Sequence, residues 1–430
     1  MRGYSTGPYI CRRGAVAPDG RADNRPPEGS TVDTRELMEW SAKHLMTVAK
    51  RYPVALVRGE GWRVWDSDGK EYLDFTGGIA VTALGHSHPK VVGTMREQAA
   101  TLLHVSNYFH IPQQIHLAKV LCDHSFADRV FFSNSGAEAN ETAIKLARKW
   151  AKERGASDRG DIISMRGGFH GRTLATVTAT AQEKYHHGYE PLPTGFKYVP
   201  FNDLRAVERA IDSRTAGVLV EPIQGEGGVN IPDEGYLPGL RKLCDEAGIL
   251  LILDEIQTGM GRTGKLWCYE HAGVAPDIMT LAKALANGVP IGATLATEDV
   301  ARVFTPGSHG TTFGGNPFAT AVGLTVFTTL VEERLPERAE RMGRLLRDRL
   351  LTVQSRDPGA VKEVRGKGLL VGMDLTAPVA DVVSACRQRG LLVLSAGDNT
   401  LRLAPPLIVD EAAVERATEI IGRALGDVRA

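Results

Sequence analysis

Residues 130–155 read VFFSNSGAEANETAIKLARKWAKERG, and this stretch decides the fold. Its first four residues are mostly apolar, as in a buried strand, and after Gly136 apolar side chains recur on one face at helical spacing. Ser135 followed by Glu138 forms a capping box, and Gly155 is a stop signal. The stretch therefore predicts a strand, a tight turn and a helix that ends near residue 154.

The same alternation of short apolar runs and longer helical segments continues along the chain from about residue 50. A second helix is predicted at 237–247, directly before the most apolar run of the sequence. Strands are predicted at 130–133, 162–165, 217–220, 249–253 and 291–296. This alternation is typical of an α/β fold with a mostly parallel central sheet.

The two ends of the chain have a different character. Residues 1–35 contain Arg, Gly and Pro with little apolar periodicity, which predicts a disordered N-terminal extension. A transit peptide is the alternative, and Asp19, Asp23 and Glu28 argue against it because such peptides are poor in acidic residues.

The C-terminal part predicts a separate small α+β domain. After Pro336 come a long charged helical stretch and further short elements, namely strands at 368–375, 391–394 and 401–403 and a helix near 380–389. Residues 62–75, with turn residues at 67–69, predict a hairpin that packs in the same domain. We therefore predict a large domain at 96–335 and a small domain built from residues 36–95 and 336–430.

Composition favours small molecules as partners. Lys and Arg number 51 and Asp and Glu number 51, so no overall charge attracts nucleic acid or a membrane surface. No apolar run approaches the roughly 20 residues that span a bilayer. The five cysteines are widely spaced without a C-x-x-C pair, which predicts neither a metal site nor disulfides and favours a cytoplasmic location.

Polar, chemically versatile residues follow four of the predicted strands. They lie at 135–137, 168–172, 221–226 and 254–257. In a parallel sheet the carboxyl ends of the strands form the ligand-binding edge, so these residues are expected to meet there. Lys283 follows a further apolar stretch, at 277–281.

Together these residues supply what an aldehyde cofactor with a phosphate and a pyridine ring requires. The helix start after Ser135 offers free backbone N–H groups for an anion. Asp254 can pair with a pyridine nitrogen, Phe169 can cover the ring, and Lys283 can form an imine. Taken singly, each residue is more often a cap, a turn residue or a surface lysine, and their conjunction at strand ends is what favours a site.

The sequence also resembles the class III (ornithine and acetylornithine type) aminotransferases of fold-type I, and most of all their acetylornithine-type members. The resemblance covers about residues 45–425. Its ordered motifs are LGHSHP at 84–89, FFSNSGAEANETAIKLAR at 131–148, FHGRTL at 169–174, EPIQGEGG at 221–228, LDEIQTGMGRTG at 253–264, LAKALANGVPIGA at 281–293, HGTTFGGNP at 309–317 and LRLAPPLIV at 401–409.

The resemblance implies pyridoxal 5′-phosphate as cofactor and a role for each matching residue. Lys283 would be the Schiff-base lysine and Asp254 the partner of the pyridine nitrogen. Thr312 would reach the phosphate in the partner subunit's site, which implies a homodimer. The expected cofactor-binding residues are Ser135, Gly136, Ala137, Phe169, His170, Asp254, Gln257, Lys283 and Thr312, and the expected substrate-binding residues are Arg172, Thr311, Arg402 and Glu226.

Within the family, the motifs NYFHIPQQ at 107–114 and SNSGAEANE at 133–141 favour N-acetylornithine as amino donor and 2-oxoglutarate as acceptor. In this reading Arg172 holds the carboxylate at the far end of the substrate, Arg402 clamps an α-carboxylate, and Glu226 neutralises Arg402 when none is present. Ornithine, 4-aminobutyrate, succinylornithine and a lysine-pathway amine remain open as donors.

Other functional classes fit the sequence less well. The glycines at 259–264 match G-x-G-x-x-G of NAD-dependent dehydrogenases, but five residues separate them from the strand and Ala284 stands where an acidic residue is required. A catalytically silent binding protein is disfavoured by the intact Lys283 and Asp254. His86 and His88 have no nearby third ligand, so no metal site is expected.

Overall fold

A computed structural model describes residues 33–155 and 158–429 of the chain. Most of the predicted N-terminal extension, residues 1–32, lies outside the described residues. The first helix begins at Thr34, because the Asp33 side chain accepts a hydrogen bond from the Arg35 N–H at 3.1 Å and caps it. Thr34 and Arg35, which were expected to be disordered, are therefore helical.

The helices of the described chain are α1 (Thr34–His44), α2 (Gly77–Ala80), α3 (Pro89–Thr101), α4 (Pro112–Asp123), α5 (Gly136–Glu153), α6 (Leu174–Ala179), α7 (Leu204–Ala210), α8 (Tyr236–Ala247), α9 (Glu298–Ala301), α10 (Pro317–Glu332), α11 (Leu335–Arg356), α12 (Val379–Gln388) and α13 (Glu411–Arg429). Short 3₁₀ turns occur at Glu183–Tyr185, Cys268–His271 and Lys283–Ala286.

The strands are β1 (Leu56–Glu60), β2 (Arg63–Asp66), β3 (Glu71–Asp74), β4 (Arg129–Ser133), β5 (Asp161–Met165), β6 (Phe196–Val199), β7 (Thr215–Val220), β8 (Leu250–Asp254), β9 (Ile278–Leu281), β10 (Gly292–Ala296), β11 (Val361–Lys367), β12 (Leu370–Leu375), β13 (Leu391–Leu392), β14 (Leu394–Ala396) and β15 (Thr400–Leu403).

A seven-stranded sheet in the order β4-β10-β9-β8-β7-β5-β6 forms the centre of the described chain. Neighbouring strands from β9 to β6 are parallel, and β10 is antiparallel to both of its neighbours. Every residue of β7 and β8 is buried, as expected for strands covered by helices on both faces. The predicted α/β class with a mostly parallel sheet is confirmed.

Two four-stranded sheets accompany the central one, in the orders β1-β2-β3-β13 and β11-β12-β15-β14. The hairpin predicted at 62–75 is present as β2 and β3, and β13 pairs with β3 in parallel. The single strand predicted at 391–394 is wrong: its two halves join different sheets, since β14 pairs with β15. The division into a large and a small domain at the residues given above stays a prediction.

Among the described helices, none is both long and apolar enough to cross a lipid bilayer. In the same part of the chain, no group of three His, Cys, Asp or Glu side chains is arranged to hold a metal ion.

Candidate active site

A cavity of about 410 Å³ lies where β4, β5, β7, β8 and β9 end. Most of the predicted cofactor residues meet in its wall. They are Ser135, Gly136, Ala137, Phe169, His170, Asp254, Gln257 and Lys283, together with the predicted substrate residue Arg172. Thr311 and Thr312 lie outside this wall, although the Thr311 hydroxyl accepts a hydrogen bond at 3.3 Å from Asn134, which lines it.

The start of α5 forms one side of the cavity. The Ser135 hydroxyl accepts a hydrogen bond from the Glu138 N–H at 3.2 Å, and Glu138 in turn accepts the Asn134 N–H at 2.6 Å. The first intrahelical bond runs from the Ala139 N–H to the Ser135 carbonyl, so the N–H groups of Gly136 and Ala137 have no partner within the helix. Free N–H groups at the positive end of the helix dipole form a site for an anion such as a phosphate.

Asp254 is the last residue of β8, and three donors hold its carboxylate. Its Oδ2 accepts from Asn140 Nδ2 at 2.8 Å and from His170 Nδ1 at 2.7 Å, and its Oδ1 accepts from the Ile256 N–H at 3.1 Å. The Thr280 hydroxyl donates to Asn140 Oδ1 at 2.8 Å and fixes that amide in turn. The carboxylate is thereby fixed in one orientation in the wall of the cavity.

His170 supports the negative charge of Asp254. Burial disfavours the charged ring, but the hydrogen bond to Asp254 and the charges of Asp254 and Glu221 raise the pKa of His170 overall. The opposite ring nitrogen, Nε2, is buried and has no hydrogen-bond partner in the described structure. His170 therefore lies in the predicted site, where it contacts the Asp254 carboxylate directly.

Glu221 follows β7 and is an additional buried acid in the cavity wall. Burial raises its pKa to about 7, while its two oxygens accept the Phe169 N–H at 2.9 Å and the Gly225 N–H at 3.1 Å. Sequence reasoning placed this residue at a strand end but gave it no role. Its contacts show that it ties the Phe169 backbone to the loop after β7.

Lys283 begins a 3₁₀ turn shortly after β9. Its φ is +38°, in the left-handed region that a residue with a Cβ seldom adopts. Burial lowers the pKa of its amine; the negative charge of Glu226 opposes this effect and the positive charge of Arg402 adds to it. A lysine with a lowered pKa is more often neutral at physiological pH, the form in which it acts as a nucleophile.

Arg402, on β15, pairs with Glu226 beside the cavity. Arg402 Nη1 donates to Glu226 Oε1 at 2.5 Å and to Gln257 Oε1 at 3.2 Å, and Gln257 Nε2 donates to the same Glu226 oxygen at 3.2 Å. Burial acts to raise the pKa of Glu226, but the charges of Arg402 and Lys283 lower it overall. The Arg402 side chain is 3 % exposed, so its positive charge is balanced inside the protein.

Arg172 is different because it is exposed to solvent and has no ion pair within residues 33–155 and 158–429. Its guanidinium carbon lies 3.9 Å from the ring centroid of Tyr185 and 5.6 Å from that of Phe169. The two rings hold the guanidinium by cation–π contact and leave its N–H groups available to a carboxylate.

Sequence reasoning missed Asn140 and Tyr185. Asn140 interrupts the apolar face of α5 with a fully buried polar side chain, and that interruption was a readable signal of a specific partner. Tyr185 ends a three-residue 3₁₀ turn, 13 residues beyond Arg172, and carried no comparable signal.

Known proteins match this fold and site. The aminotransferase class-III family model matches residues 46–425. The acetylornithine aminotransferase of Caldanaerobacter subterraneus subsp. tengcongensis is 49% identical over 394 residues, which is 91% of this chain and all of that protein.

Two solved structures extend the comparison. The acetylornithine aminotransferase from Elizabethkingia anophelis superposes with a TM-score of 0.83 at 36% identity, covering 92% of this chain and 100% of that one. A structure of the Toxoplasma gondii ornithine aminotransferase, with pyridoxal phosphate partially occupying its active site, has a TM-score of 0.89 at 36% identity and covers 92% and 95% of the two chains.

The chain belongs to the class-III aminotransferases. It is therefore an enzyme that depends on pyridoxal 5′-phosphate, as the sequence predicted. The cavity fits that cofactor, because free N–H groups at a helix start, a buried carboxylate and an amine of lowered pKa line one cavity.

Proposed function

We propose that the enzyme transfers the terminal amino group of N-acetylornithine to 2-oxoglutarate, giving N-acetylglutamate semialdehyde and glutamate. The observation that carries this proposal is the contrast between two arginines: Arg402 is buried and paired with Glu226, whereas the exposed Arg172 has no ion pair within the described residues. The name of the similar Caldanaerobacter protein supports the choice of N-acetylornithine.

The chain's own residues would hold the cofactor as follows. The N–H groups of Gly136 and Ala137, next to Ser135, would bind its phosphate, and Asp254 would face its pyridine nitrogen with His170 behind the carboxylate. Phe169 would cover one face of the ring, and Gln257 would lie beside the ring hydroxyl. When bound, pyridoxal phosphate supplies an electron sink for the negative charge that develops on the reacting carbon.

Lys283 would have two tasks. It would anchor the cofactor covalently through Nζ until the substrate amine takes its place. The released amine would then accept the proton from the substrate carbon that carries the reacting amino group. The lowered pKa of Lys283 suits both tasks, because each needs the neutral amine.

The two arginines would let one site serve two different substrates. Glutamate would offer its α-carboxylate to Arg402, which then leaves Glu226, and its γ-carboxylate to Arg172. N-acetylornithine reacts through its terminal amine and would offer its only carboxylate to Arg172, while Arg402 stays with Glu226. The guanidinium of Arg402 is then never left buried without a partner, a state that costs about 3–5 kcal/mol. Thr311 would line the pocket of Arg172.

The proposal includes a homodimer. Tyr108, Phe109 and Phe313 are 95%, 68% and 62% exposed, which is unusual for large apolar side chains. Asn107 Nδ2 donates to the carbonyls of Thr311 and Gly314, so this apolar surface is continuous with the loop that carries Thr312. A second copy would cover the surface and receive Thr312 at its phosphate site.

The proposed location is the cytoplasm. Within residues 33–155 and 158–429, Cys122, Cys244, Cys268 and Cys386 form no disulfide, and free thiols persist in a reducing compartment.

A steady-state panel of donors against 2-oxoglutarate tests the substrate. We expect kcat/KM for N-acetylornithine to exceed that for ornithine, 4-aminobutyrate, N-succinylornithine and lysine by about 10-fold or more, a margin that substrate-binding contacts can supply. A higher kcat/KM for any other donor would assign the enzyme to that substrate instead.

A further inference from the structure

Arg365, a residue of β11 outside the cavity wall, contacts both the loop that carries Glu226 and the strand that carries Arg402. Arg365, Gly372 and Arg402 stand in one row across β11, β12 and β15, because Arg365 is paired in register with Gly372 and Gly372 with Arg402. The two arginines thus flank a glycine on the same sheet.

The loop that carries Glu226 lies over this glycine. A Cβ added at Gly372 would lie 2.9 Å from Val229 Cβ, so only a glycine lets the loop approach so closely. Val229 is fully buried and has a φ of +54°, a strained conformation for a β-branched residue. Such a conformation persists only where its surroundings hold it.

Arg365 supplies that restraint. Its Nη2 donates to the Gly228 carbonyl at 2.5 Å and its Nε donates to the Val229 carbonyl at 3.0 Å. These two carbonyls follow Glu226 closely in the chain. The Gly397 N–H also donates to the Glu226 carbonyl at 2.8 Å.

Arg365 is itself held by Asp374 on β12 and by Thr400 on β15, the strand that carries Arg402. Its guanidinium donates to both oxygens of Asp374, at 2.7 and 2.9 Å, and to the Thr400 hydroxyl at 3.3 Å. Thr400 also donates to Asp374 and lies two residues before Arg402 on β15. The guanidinium group of Arg365 therefore hydrogen-bonds both to the loop that carries Glu226 and to the strand that carries Arg402.

We propose that Arg365 is a positioning residue that sets substrate preference by holding Glu226 against Arg402. The proposal rests on the function proposed above. When Arg365 is lost, the loop relaxes and Glu226 pairs less well with Arg402. Arg402 then carries an unneutralised charge, which penalises N-acetylornithine but not glutamate, whose α-carboxylate neutralises Arg402.

The test measures both half-reactions by single turnover in Arg365→Met. A second variant, Arg365→Lys, keeps the positive charge but lacks the planar guanidinium that donates several hydrogen bonds at once. We expect kcat/KM for N-acetylornithine to fall about 10-fold in Arg365→Met and that for glutamate to fall about 2-fold or less, as for the loss of charge-assisted hydrogen bonds. Arg365→Lys should lie between it and the wild type.

Arg347→Met is the matched control, because Arg347 Nη1 also donates to a backbone carbonyl of the same sheet, that of Gly366, at 2.8 Å. It should leave the ratio of the two half-reactions unchanged. In a Glu226→Ala background, Arg365→Met should no longer change this ratio. Equal losses in both half-reactions, or the same change of ratio without Glu226, would overturn the proposal.

Amide hydrogen exchange of the holoenzyme gives a second measurement that does not depend on the substrate. Residues 226–230 should exchange faster in Arg365→Met than in the wild type and in Arg347→Met, and unchanged exchange would overturn the proposal. Failure of the wild type to react with either substrate would instead contradict the proposed function, and the exchange result would still decide the role of Arg365.

Discussion

The hydrogen-bond donors around Asp254 determine how its carboxylate can act on a group bound in the cavity. Its carboxylate accepts three hydrogen bonds, and none of the donors is a lysine or arginine. The negative charge is therefore available to a protonated pyridine nitrogen, which it would stabilise.

We predict that Asp254→Asn slows the half-reactions about 100-fold or more while the protein stays folded, as when one preorganised electrostatic group is removed. Asp277→Asn is the control, since Asp277 also belongs to this sheet region and accepts the Leu251 N–H, but outside the cavity wall. Single-turnover rates of the two variants provide the comparison, and equal rates would show that Asp254 has no part in the chemistry.

A second prediction at the residue scale concerns Arg402 and Arg172. Arg402→Ala should reduce kcat/KM for glutamate by roughly 30- to 5,000-fold, the equivalent of about 2–5 kcal/mol, and affect N-acetylornithine far less. Arg172→Ala should damage both half-reactions, and Glu226→Ala should mainly damage the one with N-acetylornithine. If Arg402→Ala damages both half-reactions equally, the proposed exchange of partners does not occur.

At the residue scale, the sequence placed Asp254 and Phe169 after predicted strands and Lys283 after an apolar stretch, and all three line the cavity. Their roles toward the cofactor stay predictions. Asn140 showed only as a polar residue on the apolar face of α5, and Arg365 showed no signal. The partners of both are distant in the chain, since Asn140 contacts Asp254 and Arg365 contacts Gly228.

Among the elements, α5 contributes most to the site. Its cap, its free N–H groups and its buried Asn140 all serve the cavity, and Ser135 followed by Glu138 made its start predictable. Only half of the predicted capping box forms, because the Glu138 side chain accepts the Asn134 N–H. β8 was predictable because five consecutive buried residues require a continuous apolar run. β6 was missed because Lys197 interrupts its apolar residues, and β9 was noted only as an apolar stretch at 277–281.

We predict that Ser135→Ala lowers the free energy of unfolding by about 1 kcal/mol through loss of the cap of α5. It should also weaken cofactor binding, because a frayed helix start holds its N–H groups less well. Asp203→Ala removes an equivalent cap, the bond from the Ala206 N–H at the start of α7, and should cost similar stability without affecting the cofactor. Urea unfolding and cofactor titration of the apoenzyme separate the two effects; an unchanged cofactor affinity in Ser135→Ala would contradict the role of this helix start.

The arrangement of the whole molecule was only partly readable from the sequence. Alternation of strands and helices indicated a parallel sheet, but the antiparallel insertion of β10 between β4 and β9 depends on a connection whose direction no residue pattern specifies. The exposed apolar surface near Thr312 could not be predicted, because Tyr108 and Phe109 are distant from Phe313 in the sequence.

A shared site predicts complementation between two defective subunits. Lys283→Ala and Thr312→Asp homodimers should each be nearly inactive, the first without the lysine and the second with a charge that repels phosphate. Coexpressed, they should recover about a quarter of wild-type activity, because half of the dimers are mixed and each mixed dimer has one intact site. Absence of recovery in isolated mixed dimers would mean that Thr312 does not serve the partner.

The most direct test of the central claim follows one nitrogen atom through the purified holoenzyme. N-acetylornithine labelled with ¹⁵N at its terminal amine is added first, the product aldehyde is removed, and 2-oxoglutarate is added afterwards. We predict one equivalent of label per subunit retained by the protein after the first step and recovered as the α-amino group of glutamate after the second, with no labelled glutamate formed by Lys283→Ala. Failure of the wild type to retain the label, or glutamate formed without it, would contradict the account.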